Sequence, residues 1–326
     1  MTSLNAEDWT IAAITAAVPH PASPAGPGDD AAVLPDDGPL ALTTDLLVEG
    51  THFASGHPPE ALGWKALAVN LSDVAAMGAT ATGFSLGLGL PRRWPDATRR
   101  RWIARFAAGL GEAAAAAGVG LVGGDTVRAD AGVIVAITAW GKLGPRILRR
   151  DGARAGDEVW VAGAIGRASE GLRRWLAEDR TAIPDDEAVA TMLADPCLRA
   201  QLRPEPPLGA GPAAAALGAT AGMDLSDGLA RDLPRLAEAS GVTIELDLDR
   251  LPEDRALTDV SPVARAAGGE DYGLVVTAPP TLGDGLARLG FTRLGTVRIR
   301  AEDGARVRWT LGGRTIPHPT PDFEHF

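Results

Sequence analysis

The chain has 326 residues, of which 45% are hydrophobic and 22% charged, and its net charge is −11. That profile provides for two domains with sizeable cores and excludes a disordered or fibrous chain, while the acidic balance argues against a surface built for nucleic acid or anionic membrane. A phosphorylated substrate stays compatible, because divalent cations can stand between two anions. The single cysteine, Cys197, excludes an intrachain disulfide and suits a reducing compartment.

The N-terminus, MTSLNAEDWTIAAITAAVP, carries acids where a signal peptide would carry Lys or Arg, and its apolar run is short and stops at Pro19. It predicts a short amphipathic helix of a cytoplasmic protein. Residues 18–30, VPHPASPAGPGDD, are too rich in Pro and Gly for regular structure. AAVLP and PLALTTDLLVEG then read as strands joined by the turn signal DDG at 36–38. Apolar positions from Pro59 to Met77 suit a helix that Gly78 ends. TGFSLGLGLP (82–91) follows as a strand, 96–117 as an Ala-rich helix, LVGGDT as a turn beside a strand edge, and 132–143 as a further strand. The longest apolar stretches, such as AGVIVAITAW, are well short of the ~20 residues that span a bilayer.

A basic, glycine-containing segment at 145–157, PRILRRDGARAGD, marks a boundary near 148. Beyond it come the strand EVWVAG (158–163), a helix over about 168–178, the Pro-rich stretch RPEPPLGAGP, a helix opened by DLSDG, and the strands VTIELDL and YGLVVTA. Cys197 reads as a small, half-buried hydrophobe.

The familiar phosphate and hydrolase motifs fail. The only Gly-Lys pair, Gly141-Lys142, is followed by Leu143, so no Walker loop exists. Gly118, Gly120 and Gly123 spell G-x-G-x-x-G, but after an Ala-rich helix instead of a strand, which is no dinucleotide fingerprint. H-R-D, H-E-x-x-H and C-x-x-C are absent.

What remains is a series of aspartates beside glycine or small residues: GDDAAVL, TTDLLVEGTHF, NLSDVAAMGA, GGDT, DLSDG and GGEDYG. Each alone is also what a helix cap or a Gly-Asp turn looks like. Together they point further. If Asp30, Asp45, Asp73, Asp125, Asp224 and Asp227 converge, their repulsion has to be offset by hard cations, and magnesium suits carboxylate, water and phosphate oxygens. The neighbouring glycines leave backbone N–H groups bare for phosphate oxygens. Acids with bare backbone describe a magnesium–polyphosphate site.

In order and spacing these clusters, with VEGTHF followed by KALAVNLSDVAAMGA and GGEDYGL, resemble the thiamine-monophosphate kinases, from the superfamily that includes aminoimidazole ribonucleotide synthetase and selenophosphate synthetase. The resemblance runs from about Gly28 to Phe326. It implies a two-domain synthetase-like fold of mixed α/β and α+β class. An N-terminal ATP- and magnesium-binding α/β domain (1–148) would use its sheet to form a homodimer, beside a C-terminal α+β domain (149–326), with ATP in a cleft between them. The activity implied is phosphorylation of thiamine phosphate to thiamine diphosphate, with ATP as co-substrate and several Mg2+ ions.

By matching position, the resemblance implies metal binding at Asp30, Thr43, Thr44, Asp45, Asp73, Asp125, Asp224 and Asp227. Asp29 stands as an alternative to its neighbour. It implies ATP contacts at Gly124, Asp125, Arg150 and Ser226, and substrate contacts at His52, Glu270 and Phe323, the last where relatives carry Tyr or Trp. Direct in-line attack by the substrate's phosphate oxygen on the γ-phosphorus needs no phosphoenzyme, and the acceptor is already largely ionised at neutral pH, so no residue is assigned as general base. Asp232, the third acid of MDLSDGLARD, matches nothing and reads as solvated helix surface. Two other readings stay open: another ATP-using synthetase of the superfamily, and a non-catalytic sensor of ATP or thiamine phosphate.

Overall fold

A computed structural model describes residues 9, 13–14, 16–19, 38–130, 132–178 and 180–320. The GDDAAVL motif with Asp29 and Asp30, the strand expected at AAVLP and the tail bearing Phe323 lie outside the described residues, as does most of the N-terminal helix. Two compact units result. The first comprises 1–74, 81–142 and 178–192, the second 75–80, 143–177 and 193–326. Nothing in the sequence signals that 178–192 returns to the first unit.

The first unit is built on β1 (Leu40–Val48), α1 (Pro59–Ala76), β2 (Ala79–Pro91), α2 (Asp96–Ala117), β3 (Gly120–Ala129) and β4 (Ile134–Leu143). The strands form one sheet in the order β1-β4-β2-β3, with β1 and β4 antiparallel and β2 and β3 parallel. Alternation along β1 is plain: Ala41 and Leu47 are buried, whereas Leu42 and Leu46 are 68% and 52% exposed. Helix α1 starts at Pro59, whose fixed φ suits a first helical position. It is buried nearly all round, including Lys65, Asn70 and Ser72.

GGDT is not the turn its composition suggests. It lies inside β3, where Ser85, Leu86 and Gly87 of β2 pair with Gly123, Gly124 and Asp125 after a register shift at Phe84/Ser85. Ladder pairing overrides poor strand propensity here. The G-x-G-x-x-G string dissolves too. Gly118 caps α2 in the left-handed conformation (φ 67°), and Gly120 and Gly123 belong to the strand.

The second unit is a seven-stranded sheet with helices on both faces. Its strands are β5 (Glu158–Ala162), β6 (Ala221–Leu225), β7 (Val242–Asp247), β8 (Gly273–Ala278), β9 (Thr292–Ile299), β10 (Val307–Leu311) and β11 (Arg314–Ile316). They run in the order β11-β10-β7-β9-β5-β8-β6, antiparallel except for β10 beside β7. Its helices include α3 (Arg167–Leu176), α5 (Pro196–Leu202), α6 (Ala210–Leu217), α7 (Leu229–Ser240), α8 (Pro262–Ala267) and α9 (Gly283–Arg288), while α4 (Asp186–Ala194) belongs mainly to the first unit. Strand alternation splits the core in two. Val159, Val161 and Val275 join Leu229, Leu233 and Leu236 of α7, whereas Trp160, Leu274 and Val276 join Ala214 and Ala215 of α6. Helices α4, α5 and α6 and the three C-terminal strands are not among the expected elements, although Asp195-Pro196 opens α5 and Gly312-Gly313 turns β10 into β11. Cys197 on α5 is fully buried, not half-buried, with Sγ 3.6 Å from the Ala256 carbonyl.

Among the described residues no helix is long and apolar enough to cross a membrane.

Candidate active site

The first unit gathers its acids where β1 faces α1. Thr43 Oγ1 donates to Asp73 Oδ2 at 2.7 Å, and the Asp45 main-chain N–H donates to Asn70 Oδ1 at 3.0 Å. Asn70 is itself fixed by Nδ2 donating to Ala66 O. Burial first, and the charge of Asp73 second, push the Asp45 carboxyl up to about 6. Two carboxylates are therefore held close in a poorly solvated place, an arrangement that a hard cation relieves. Asn70 was legible as a polar residue within an apolar helix, yet only its acidic neighbour Asp73 drew a role.

Thr44 points to the other face of the sheet, where its Oγ1 lies 2.8 Å from Thr138 Oγ1. Asp125 is exposed on β3, in register with Gly87, and its Oδ1 accepts the Thr126 N–H; Gly124 precedes it in the same ladder. No described contact joins either to Asp45. His52 sits half-buried in the turn after β1, its Nδ1 accepting the Val48 N–H at 3.1 Å, which leaves Nε2 as the protonated nitrogen.

The second unit brings DLSDG and GGEDYG together. Asp224, 3% exposed, is the next-to-last residue of β6, which pairs with β8. The chain turns so that Glu270 N–H donates to Ser226 O at 2.7 Å and Tyr272 N–H to Leu225 O at 3.1 Å. Gly228 (φ 90°) leads into α7, and a Cβ there would collide with the Gly268 carbonyl, so the two loops meet backbone to backbone. Glu270 and Tyr272 both hold left-handed φ values, 65° and 50°, although neither is glycine. Strain of that kind persists only where surrounding contacts impose it. Gln201 Nε2 donates to Glu270 Oε2 at 2.6 Å.

Between those two strained residues Asp271 is half-buried, and its carboxylate is turned to the start of α3. Its Oδ2 accepts the Gly166 N–H at 2.5 Å and its Oδ1 the Ala168 N–H at 2.8 Å, capping α3 from a distant loop. Burial pushes its carboxyl up to about 7 against those donors. Asp232 corrects the sequence reading: it is 0% exposed, not helix surface. Its Oδ2 accepts the Asp227 N–H at 3.0 Å, and Arg235 Nη1 bridges Asp227 Oδ2 (2.7 Å) and Asp232 Oδ1 (3.0 Å). The carboxyl is pushed up to about 7, by burial and then by the charge of Asp227. Asp232, Arg235, Gln201 and Asp271 bear no sequence mark of these roles. Arg150 is exposed, its main-chain carbonyl accepting from Ser240 Oγ, while neighbouring Arg149 pairs with Asp151.

Among the described residues no group of three or more His, Cys, Asp and Glu stands as a closed metal cage. Asp45 with Asp73, and Asp224 with Asp227, offer hard carboxylate oxygens only, the donor chemistry of magnesium instead of zinc or copper.

Family models for the N-terminal and C-terminal domains of AIR synthase related proteins match residues 28–143 and 154–290. The thiamine-monophosphate kinase of Mycobacterium tuberculosis is 38% identical over 305 residues, 90% of this chain and 86% of the relative. The crystal structure of the thiamine-monophosphate kinase from Stenotrophomonas maltophilia superposes with a TM-score of 0.79 at 33% identity, covering 97% of this chain and 98% of that one. The chain belongs to the thiamine-monophosphate kinase family. AaThiL complexed with AMPPCP and TMP, 31% identical over 85% of both chains with a TM-score of 0.71, belongs with these neighbours. The thiamine-monophosphate kinase fold thus comprises the two matched domains: in this chain, the four-stranded sheet with its helices and the seven-stranded sheet with its own.

Proposed function

We propose that the protein transfers the γ-phosphoryl group of ATP to thiamine phosphate, giving thiamine diphosphate, in the cytoplasm. The likeness to AaThiL complexed with AMPPCP and TMP supports this reading most directly, since it spans 85% of both chains at 31% identity. In this reading Asp45 and Asp73 in the first unit, and Asp224 and Asp227 in the second, hold Mg2+, with Asp30, Thr43, Thr44 and Asp125 as further ligands. Bound magnesium supplies charge neutralisation between two polyanions. Gly124, Asp125, Arg150 and Ser226 contact ATP, and His52, Glu270 and Phe323 contact thiamine phosphate. The acceptor phosphate loses its second proton near pH 6, so the chain's task is to align two anions in line, and no side chain has to accept a proton.

A homodimer completes the reading. Leu42 and Leu46 of β1, with Val127 of β3 at 55% exposure, put apolar side chains on one face of the four-stranded sheet, and we assign a second copy of the chain to cover it. Light scattering of the L42D/L46D variant should report a monomer where the unaltered chain reports a dimer.

The deciding assay measures ADP release with Mg2+, with and without thiamine phosphate. Release that depends on thiamine phosphate, with thiamine diphosphate accumulating in step, is expected. ADP release indifferent to thiamine phosphate, or none at all, would refute the assignment.

A further inference from the structure

One flank of α7 carries Arg231, Arg235 and Glu238, and with Arg300 and Arg306 from the segment after β9 they line an open groove of about 910 Å3. Four guanidinium groups against Glu238, with Asp227 and Asp232 both on Arg235, leave the lining net positive in a chain whose net charge is −11. Arginines on a convex surface are usually solvated. These line a concavity, and two of them are held in place. Glu238 Oε2 accepts from both Arg300 Nη2 and Arg306 Nε, each at 2.6 Å, while Arg300 Nη1 also donates to the Val242 carbonyl at 3.0 Å. One carboxylate oxygen shared by two fixed guanidinium forks occupies the place that a phosphate oxygen fits.

The remaining wall suits an organic ligand. Pro234 and Val307 contribute apolar surface. His318 Nδ1 accepts the Trp309 indole N–H at 3.2 Å, leaving Nε2 as the ring's donor. The volume is that of sites for nucleotide-sized molecules.

We propose that this groove is a second anion site, for a small organic molecule carrying two or more phosphates. Arg235 ties it to the DLSDG loop, since the same Nη1 that lies 2.7 Å from Asp227 Oδ2 belongs to a side chain lining the groove. An anion that draws Arg235 toward itself weakens that grip on Asp227. The effect on turnover rests on reading Asp227 as a metal ligand; the binding does not.

Calorimetric titration with inorganic diphosphate, and separately with ADP, in EDTA tests binding apart from magnesium-dependent chemistry. Saturable binding is expected, weakened at least tenfold in R300A/R306A and tightened severalfold in E238Q, which removes the internal competitor. The opposite signs of these two variants keep the test decisive even if the double variant loses stability. No saturable binding to the unaltered protein, or equal affinity in all three proteins, would overturn the proposal. A doubly phosphorylated peptide that binds where diphosphate and ADP do not would overturn it as well, by assigning the groove to a phosphoprotein. If the binding results hold while thiamine phosphate-dependent ADP release is absent, the groove stands and the kinase reading fails.

Discussion

Asp232 accepts the main-chain N–H of Asp227 through Oδ2 at 3.0 Å, so a fully buried carboxylate fixes the position of a half-buried one. Asp232→Ala leaves the Asp227 N–H and one side of Arg235 without their acceptor, and should cost about 3 kcal/mol of stability. Asp232→Asn keeps an acceptor for the N–H, while Arg235, 48% exposed, can turn to Asp227 alone, so most of the loss should be recovered. Urea midpoints of the three proteins check this. An alanine variant as stable as the parent would remove Asp232 from the loop's support.

Asp45 should show stability and activity moving in opposite directions. Burial and Asp73 raise its folded pKa to about 6 from an ordinary 3.8, so the fold disfavours its ionised form at neutral pH. Asp45→Asn removes that repulsion and should leave the metal-free protein at least as heat-stable as the parent. Turnover should fall by on the order of 100-fold or more, as for loss of charge stabilisation around a transferring phosphoryl group. Near-normal turnover in this variant would sink the role of Asp45.

The sequence carried the acids well and their supports poorly. DLSDG, TTDLLVEGTHF and GGEDYGL are local strings whose residue types announce hard-ligand chemistry, and the helix over 59–76 and its neighbour over 96–117 follow from apolar spacing ended by Gly78 and Gly118. Roles set by long-range contacts were invisible. Asp271 caps a helix that starts more than a hundred residues earlier, and Gln201 reaches Glu270 across 69 positions. GGDT misled because its turn-like composition lies in a parallel ladder that only the partner strand imposes.

The two carboxylates behind the DLSDG and GGEDYG loops, Asp232 and Asp271, should respond differently to amidation. Both oxygens of Asp271 accept fixed main-chain N–H groups, from Gly166 and Ala168. An asparagine there must aim its own NH2 at a donor, so Asp271→Asn should rescue little of the about 2 kcal/mol that Asp271→Ala costs through the lost helix cap. Because Glu270 and Tyr272 hold left-handed backbone on either side, both variants should also raise KM for thiamine phosphate more than they lower kcat. Rescue by asparagine equal to that at position 232 would show the capping geometry to be irrelevant.

His57 should make the protein acid-sensitive above the range in which carboxylates protonate. It is buried, edge-on to Phe53 with ring centroids 5.9 Å apart, and burial first and the charge of buried Lys65 second push its imidazole down to about 3. In the unfolded chain the same group takes a proton near pH 6.5. Between those values the unfolded state binds more protons than the folded one, so stability falls as pH drops from about 6.5 toward 3, at a slope approaching about 1.4 kcal/mol per pH unit from this group. His57→Gln, which takes no proton, should flatten that slope while leaving stability above pH 7 free of it. Urea midpoints for both proteins at pH 7.5, 6.5, 5.5 and 4.5 measure the difference, and parallel curves would mean that His57 is solvated or protonated within the fold.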